Sequence, residues 1–144
     1  MSTSYLLDSS VLVLSLRQDA TTLQRLAKAQ ALYVSSVALG ELYHGAAHSV
    51  HVEKSLGEVD GIANSMTILV TDSATTKIYG HVKHVQRTKG LMIPDNDLWI
   101  ASTALQYGLT LAARDNTLPG LPDLLLSSGK RKRRLLWLPH QPGD

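Results

Sequence analysis

The sequence predicts an α/β fold, a mainly parallel sheet with helices on both faces, and three observations carry that prediction. Short apolar runs alternate with longer stretches of helical periodicity along the chain, which is the pattern of strands joined by crossover helices. The first of those runs is followed at once by Asp8, and the fourth, one residue further on, by Asp115, where α/β sheets place their functional groups. The length of 144 residues, 44% of them hydrophobic and 18% charged, suits one core and no second domain.

The elements follow in order. Tyr5-Leu6-Leu7 reads as a first strand that stops at Asp8-Ser9-Ser10, and Val11, Leu12, Leu14 and Leu16 then predict a helix. Thr21 or Thr22 is expected to cap a helix through about Gln30. Ala31-Leu32-Tyr33-Val34 is a second strand, and Ser36 is expected to cap a helix from Val37 to about His48. An amphipathic segment from His51 to Asn64 leads to a third strand, Met66 to Val70, of good β composition. Asp72 or Ser73 caps a helix reaching about Thr88 and stopping at Gly90, with Lys83, Arg87 and Lys89 near its negative end. Pro94-Asp95-Asn96 opens another helix that closes at Gly108, and Leu109 to Ala113 is the fourth strand.

With no Cys in the chain, disulfides, thiolate metal sites and cysteine nucleophiles are excluded, and chemistry falls to carboxylates, histidines, hydroxyls or a metal held by them. No apolar run is long enough to span a membrane, and Met1-Ser2-Thr3-Ser4 lacks a basic secretory start, so the expected location is cytoplasmic. The net charge of +2 is concentrated in Lys130, Arg131, Lys132, Arg133 and Arg134. Residues 1–129 carry nine basic against eleven acidic groups, so the body is mildly acidic. The basic run reads either as a solvated tail or as a phosphate-binding arm.

Asp8 and Asp115 follow two strands of one sheet, while Glu41 and Asp97 lie in the early turns of helices entered from the same edge. Four carboxylates converging there would repel one another, and a divalent cation resolves the conflict. Hard oxygen ligands suit Mg²⁺ or Mn²⁺. Each acid also has a plainer reading: Asp8 as a helix cap, Asp95 and Asp97 as partners of the helix dipole, Asp115 as a turn residue. Glu41 resists it, because it lies between Leu39 and Leu42 among apolar and small residues, where an unpaired carboxylate is costly. His44 and His48, like His81 and His84, are spaced for one helical face, but neither pair has a second cluster to complete a zinc tetrahedron. A haloacid-dehalogenase-type phosphatase would need a second Asp where Ser10 stands.

Taken together, four segments resemble the motifs of PIN domains. They are Tyr5 to Leu12 with Asp8, Val34 to Ala46 with the Glu41-Leu42 pair, Pro94 to Ser102 with Asp97 before Ile100-Ala101, and Gly108 to Asp115. Leu118-Pro119-Gly120-Leu121 is similar to the segment that often follows the last motif; Ala113 departs from it, standing where a Thr is usual. The resemblance covers about residues 3–121 and implies a PIN-like three-layer α/β/α nuclease domain over residues 1–126, followed by a basic tail over 127–144 with a short final strand. It implies Asp8, Glu41 and Asp97 as the principal metal ligands, Asp115 as a fourth acid, and Mg²⁺ or Mn²⁺ as cofactor. By the same resemblance the chain is an endoribonuclease toxin of the VapC type, with RNA as substrate, a small cognate antitoxin as inhibitor, and a homodimeric state. The alternative is a PIN-like RNA-binding or protein-interaction module that keeps the fold without turnover.

Overall fold

The computed structural model describes residues 3–114 and 135–138. Along them run β1 (Ser4–Leu7), α1 (Ser9–Leu16), α2 (Ala20–Ala27), β2 (Ala31–Ser35), α3 (Ser36–Ala47), α4 (Val52–Ser65), β3 (Thr67–Leu69), α5 (Ser73–Thr88), α6 (Asp95–Tyr107), β4 (Thr110–Arg114) and β5 (Leu135–Leu138). Leu118 to Leu121 and the basic run Lys130 to Arg134 lie outside the described residues.

The strands form one sheet in the order β3-β2-β1-β4-β5, and every neighbouring pair is parallel. Helices flank it, giving the α/β/α architecture. The chain builds outward from β1 through β2 to β3, then returns to place β4 on the other side of β1. Strand order therefore reverses between β1 and β4, and such a reversal opens a crevice at the carboxyl ends of the two strands.

Burial follows the same geometry. Parallel strands covered on both faces become continuously apolar. In β1 the last two residues, Leu6 and Leu7, are buried, as are Val34 and Ser35 at the end of β2 and Leu111, Ala112 and Ala113 in β4. The densest part of the sheet thus lies directly beneath the edge that bears the acids. Without Phe, the core closes with Leu and with small residues such as Ala38, Ala101 and Ala104, which bring helices close to the sheet. The middle of α6 is buried on several sides, from Leu98 through Ala104. Its hydroxyls are satisfied within the helix: Ser102 donates to the Leu98 carbonyl at 2.6 Å and Thr103 to that of Trp99 at 3.0 Å.

Several boundaries differ from expectation, and α2 ends at Ala27, short of Gln30. Asp19 caps α2, accepting from the Thr22 backbone N–H at 3.0 Å and its hydroxyl at 2.7 Å, so the two threonines sit inside the first turn. Ser35 caps α3 in place of Ser36, its hydroxyl accepting from the Ala38 N–H at 3.1 Å, and strand passes into helix without a loop. β3 is confined to three residues. β4 begins at Thr110 because Leu109 donates its N–H to the Ala104 carbonyl at 2.9 Å, closing the left-handed turn at Gly108 (φ 64°). Among the described residues no helix is long and apolar enough to cross a membrane.

Candidate active site

Asp8 stands where β1 becomes α1. Its backbone N–H donates to the Ala112 carbonyl of β4 at 2.9 Å, extending the β1–β4 ladder to the acid itself. Its carboxylate accepts from the Ser10 hydroxyl at 2.6 Å and from the Ser10 N–H at 3.3 Å, so the side chain caps α1. The Ser10 hydroxyl in turn accepts from the Arg114 N–H at 3.3 Å, tying the ends of β1 and β4 together. Asp8 is buried, yet it is held in place from both strands.

Glu41 enters from the second turn of α3. The Ser9 hydroxyl lies near enough to favour its charged form, but Oε1 is buried and has no hydrogen-bond partner. An unsatisfied buried oxygen of this kind is costly unless something else completes it. Burial, and then the charge of Asp8, push the Glu41 carboxyl above its usual range.

Asp97 is the third residue of α6. Burial pushes its carboxyl up to about 7, and the charges of Asp8 and Glu41 add to that rise. Three carboxylates from three separate elements thus feel one another across the crevice beside β1, with no cation among the causes of either shift. They do not close into a tight shell: among the described residues, no three His, Asp or Glu side chains are grouped closely enough to hold a metal ion by themselves. The histidine-based zinc site finds no support for the same reason. His44 and His48 instead face each other at 4.4 Å between ring centroids, with His48 Nδ1 3.0 Å from the His44 carbonyl oxygen. Asp115 lies outside the described residues.

Asp95, only two positions before Asp97, points elsewhere. It accepts from the Tyr79 hydroxyl and from Lys83 Nζ at 3.0 Å, both on α5, and these bonds hold its carboxyl below the usual range. Glu41 borders two clefts. One, of about 540 Å³, is lined by Ser9, Ser10, Arg17, Ser55 and Glu58. The other, of about 450 Å³, is lined by Val37, Gly40, His44 and Asn96. Sequence reasoning missed Arg17, Ser55, Glu58 and Asn96 as residues sharing a cleft with Glu41, because they meet only when α1, α4 and α6 pack on α3.

The PIN domain family model matches residues 5–123. Ribonuclease VapC2 of Rickettsia felis is 29% identical over 129 residues, covering 86% of this chain and 96% of that protein. Ribonuclease VapC4 of Mycobacterium tuberculosis is 30% identical over 93 residues, covering 63% and 72% respectively. Among solved structures, that of VapBC2 from Rickettsia felis bound to a DNA fragment from their promoter has a TM-score of 0.75 at 25% identity, covering 95% of this chain and 98% of that one.

Proposed function

The chain belongs to the PIN domain family, and from that premise we propose that it is a divalent-metal-dependent endoribonuclease, the toxin of a VapBC-type toxin–antitoxin pair. Asp8, Glu41 and Asp97 are its metal ligands, Asp115 the fourth acid, Mg²⁺ or Mn²⁺ the ion and RNA the substrate. A small antitoxin is the cognate partner, and the resting form is a homodimer.

The observation that carries this reading is the unsatisfied Oε1 of Glu41 beside Asp8 and Asp97, all three acids coupled through like charge. A hard cation fits that donor set: it satisfies the oxygen and removes the repulsion. The open spacing also fits, since Mg²⁺ keeps several waters and takes only a few carboxylates from the protein. When bound, such an ion supplies a nucleophile from water at neutral pH and neutralises charge on the phosphodiester.

The chain's own residues do the rest. Ser10 and the β1–β4 ladder fix Asp8, so one carboxylate is placed before anything binds. The Ser9 hydroxyl favours the charged form of Glu41. Asp97, with its carboxyl at about 7, is poised to lose its proton when a cation arrives. The clefts on either side of Glu41 leave room for an RNA strand to pass the acids, with His44 and Asn96 on one side and Arg17 on the other. Water adds to phosphorus and the P–O3′ bond breaks, leaving 5′-phosphate and 3′-hydroxyl ends.

Incubation of the purified chain with structured RNA tests this. Cleavage is expected with Mn²⁺ or Mg²⁺, none with EDTA, and none by Asp97→Asn, which should stay folded. RNA binding without cleavage, equal in the wild type and Asp97→Asn, would return the protein to the interaction-module reading. For the partner, expression alone should arrest growth and co-expression of a neighbouring small open reading frame should relieve it. Unimpeded growth on expression of the wild type would remove the toxin assignment.

A further inference from the structure

Asp97 is placed by a helix start that lacks the usual local means of fixing it. α1, α2, α3 and α5 each begin under a side chain that accepts a backbone N–H: Asp8, Asp19, Ser35 and Asp72. α6, like α4, begins with no side-chain cap, and its N-cap is Pro94. Its first turn nevertheless bears an acid that is half-buried and repelled by both Asp8 and Glu41. Something other than a cap must stop that turn from fraying away from the crevice.

The missing restraint comes from α5. Helical geometry places Asp95 and Trp99 on one face of α6, four residues apart, and turns Asp97 about 200° away from either, onto the opposite face. Asp95 is tied to Tyr79 and Lys83. Trp99 stacks on the same Tyr79, with ring centroids 3.7 Å apart and planes only 6° from parallel. Tyr79 and Lys83 are themselves one turn apart on α5, with Lys83 Nζ 5.9 Å from the Tyr79 ring centre. One anchor thus lies before Asp97 and one after it, and both end on one tyrosine. At the far end of the helix pair Gln106 of α6 donates to Asp72, the cap of α5, at 3.1 Å, a third link between the two helices.

We infer that Tyr79, Lys83 and Trp99 are positioning residues for metal binding: through Asp95 and the α6 backbone they hold Asp97 against Asp8 and Glu41. The inference rests on the reading of Asp97 as a metal ligand. A purely stabilising role is a poor account of the Lys83–Asp95 pair, whose side chains are 34% and 54% exposed; exposed pairs of this kind contribute little to stability.

The test is calorimetric titration of Mn²⁺ into the RNA-free protein, comparing the wild type with the double variant Tyr79→Phe/Lys83→Met and with Trp99→Leu. Positioning and simple electrostatics predict opposite signs. Removing the Lys83 charge should by itself tighten cation binding, whereas loss of the clamp should weaken it by about tenfold, as when outer supports of a ligand are removed. The double variant is expected to bind Mn²⁺ more weakly while melting within a few degrees of the wild type. Lys83→Arg should retain wild-type affinity, and saturating Mn²⁺ should restore kcat on RNA with KM for RNA unmoved. Trp99→Leu, neutral in charge, should weaken binding through the second anchor if the double variant fails to fold. Unchanged or tighter Mn²⁺ binding in the folded variants overturns the clamp and leaves the metal reading standing. A wild-type protein that binds no Mn²⁺ overturns both.

Discussion

Two corners of the molecule present a carboxylate at the start of a helix, and they do so in opposite ways. At the β1–α1 corner Asp8 is satisfied before any ligand arrives: it caps the helix and its backbone extends the sheet. At the α6 corner Asp97 caps nothing, is pushed up to about 7 by burial and like charge, and is kept in place from behind by another helix. The first acid serves both fold and site, and the second serves the site at the expense of the fold. Substitution should therefore separate them, even though both are expected to be needed for cleavage.

The largest expected effect is common to both. Asp8→Asn and Asp97→Asn should each lower RNA cleavage by roughly a hundred- to a thousandfold, the scale for removing one preorganised charge-stabilising group. Single-turnover assays at fixed Mn²⁺ measure this, and near-wild-type rates in either variant would dismiss that residue as a ligand.

Next in size is metal linkage. Mn²⁺ at a hundred times its dissociation constant should stabilise the wild type by about 2.7 kcal/mol. Thermal melts with and without EDTA should show that gain in the wild type and lose it in Asp97→Asn. A melting temperature indifferent to Mn²⁺ would deny that the acids share an ion.

Stability without metal then divides the two corners. Asp8→Ala loses the cap and Asp8→Asn keeps an acceptor, so the alanine variant should be less stable than the asparagine variant by about 1 kcal/mol in urea denaturation. Asp97→Asn should instead be more stable than the wild type at pH 8 in EDTA, because it removes a half-buried charge facing two others. A destabilised Asp97→Asn would break the contrast.

The smallest effect is a slope. The folded-state carboxyls of Asp97 and Glu41 lie above their unfolded values, so the native state binds more protons than the unfolded chain in the window between. Their stabilising contribution is complete below the unfolded carboxylate range, near pH 4. It is lost as the pH rises through about 7, the value for Asp97. Metal-free wild type should become less stable from pH 4 to pH 7, and Asp97→Asn should show a shallower decline over the same range.

The alternation of strands and helices was legible in the sequence because each strand is a short apolar run closed by a polar residue, Asp8 after β1 and Ser35 at the end of β2. The convergence of Asp8, Glu41 and Asp97 was legible too, since strand ends and helix starts at one sheet edge must meet. Single-residue details were not. Whether Ser35 or Ser36 caps α3 turns on one hydrogen bond to Ala38, and Asp19 outcompeted the threonines because a carboxylate can accept from Thr22 twice. The link from Tyr79 to Asp95 was invisible for a different reason. Sixteen residues separate the two, and only the packing of α5 against α6 brings phenol and carboxylate together.

The bond between Asp8 and Ala112 also carries a statement about time. β4, the partner of β1 at the site, is made about a hundred residues after it; the Ser10–Arg114 contact spans 104. At roughly 5 to 20 residues per second of synthesis, β1 waits on the order of 5 to 20 seconds for that neighbour. Until β4 is made, the Asp8 N–H has no Ala112 carbonyl to meet and the Ser10 hydroxyl has no Arg114 N–H. The Asp8 corner is therefore completed only once β4 has been made, and a chain cut short before Thr110 lacks the ladder bond at its first acid.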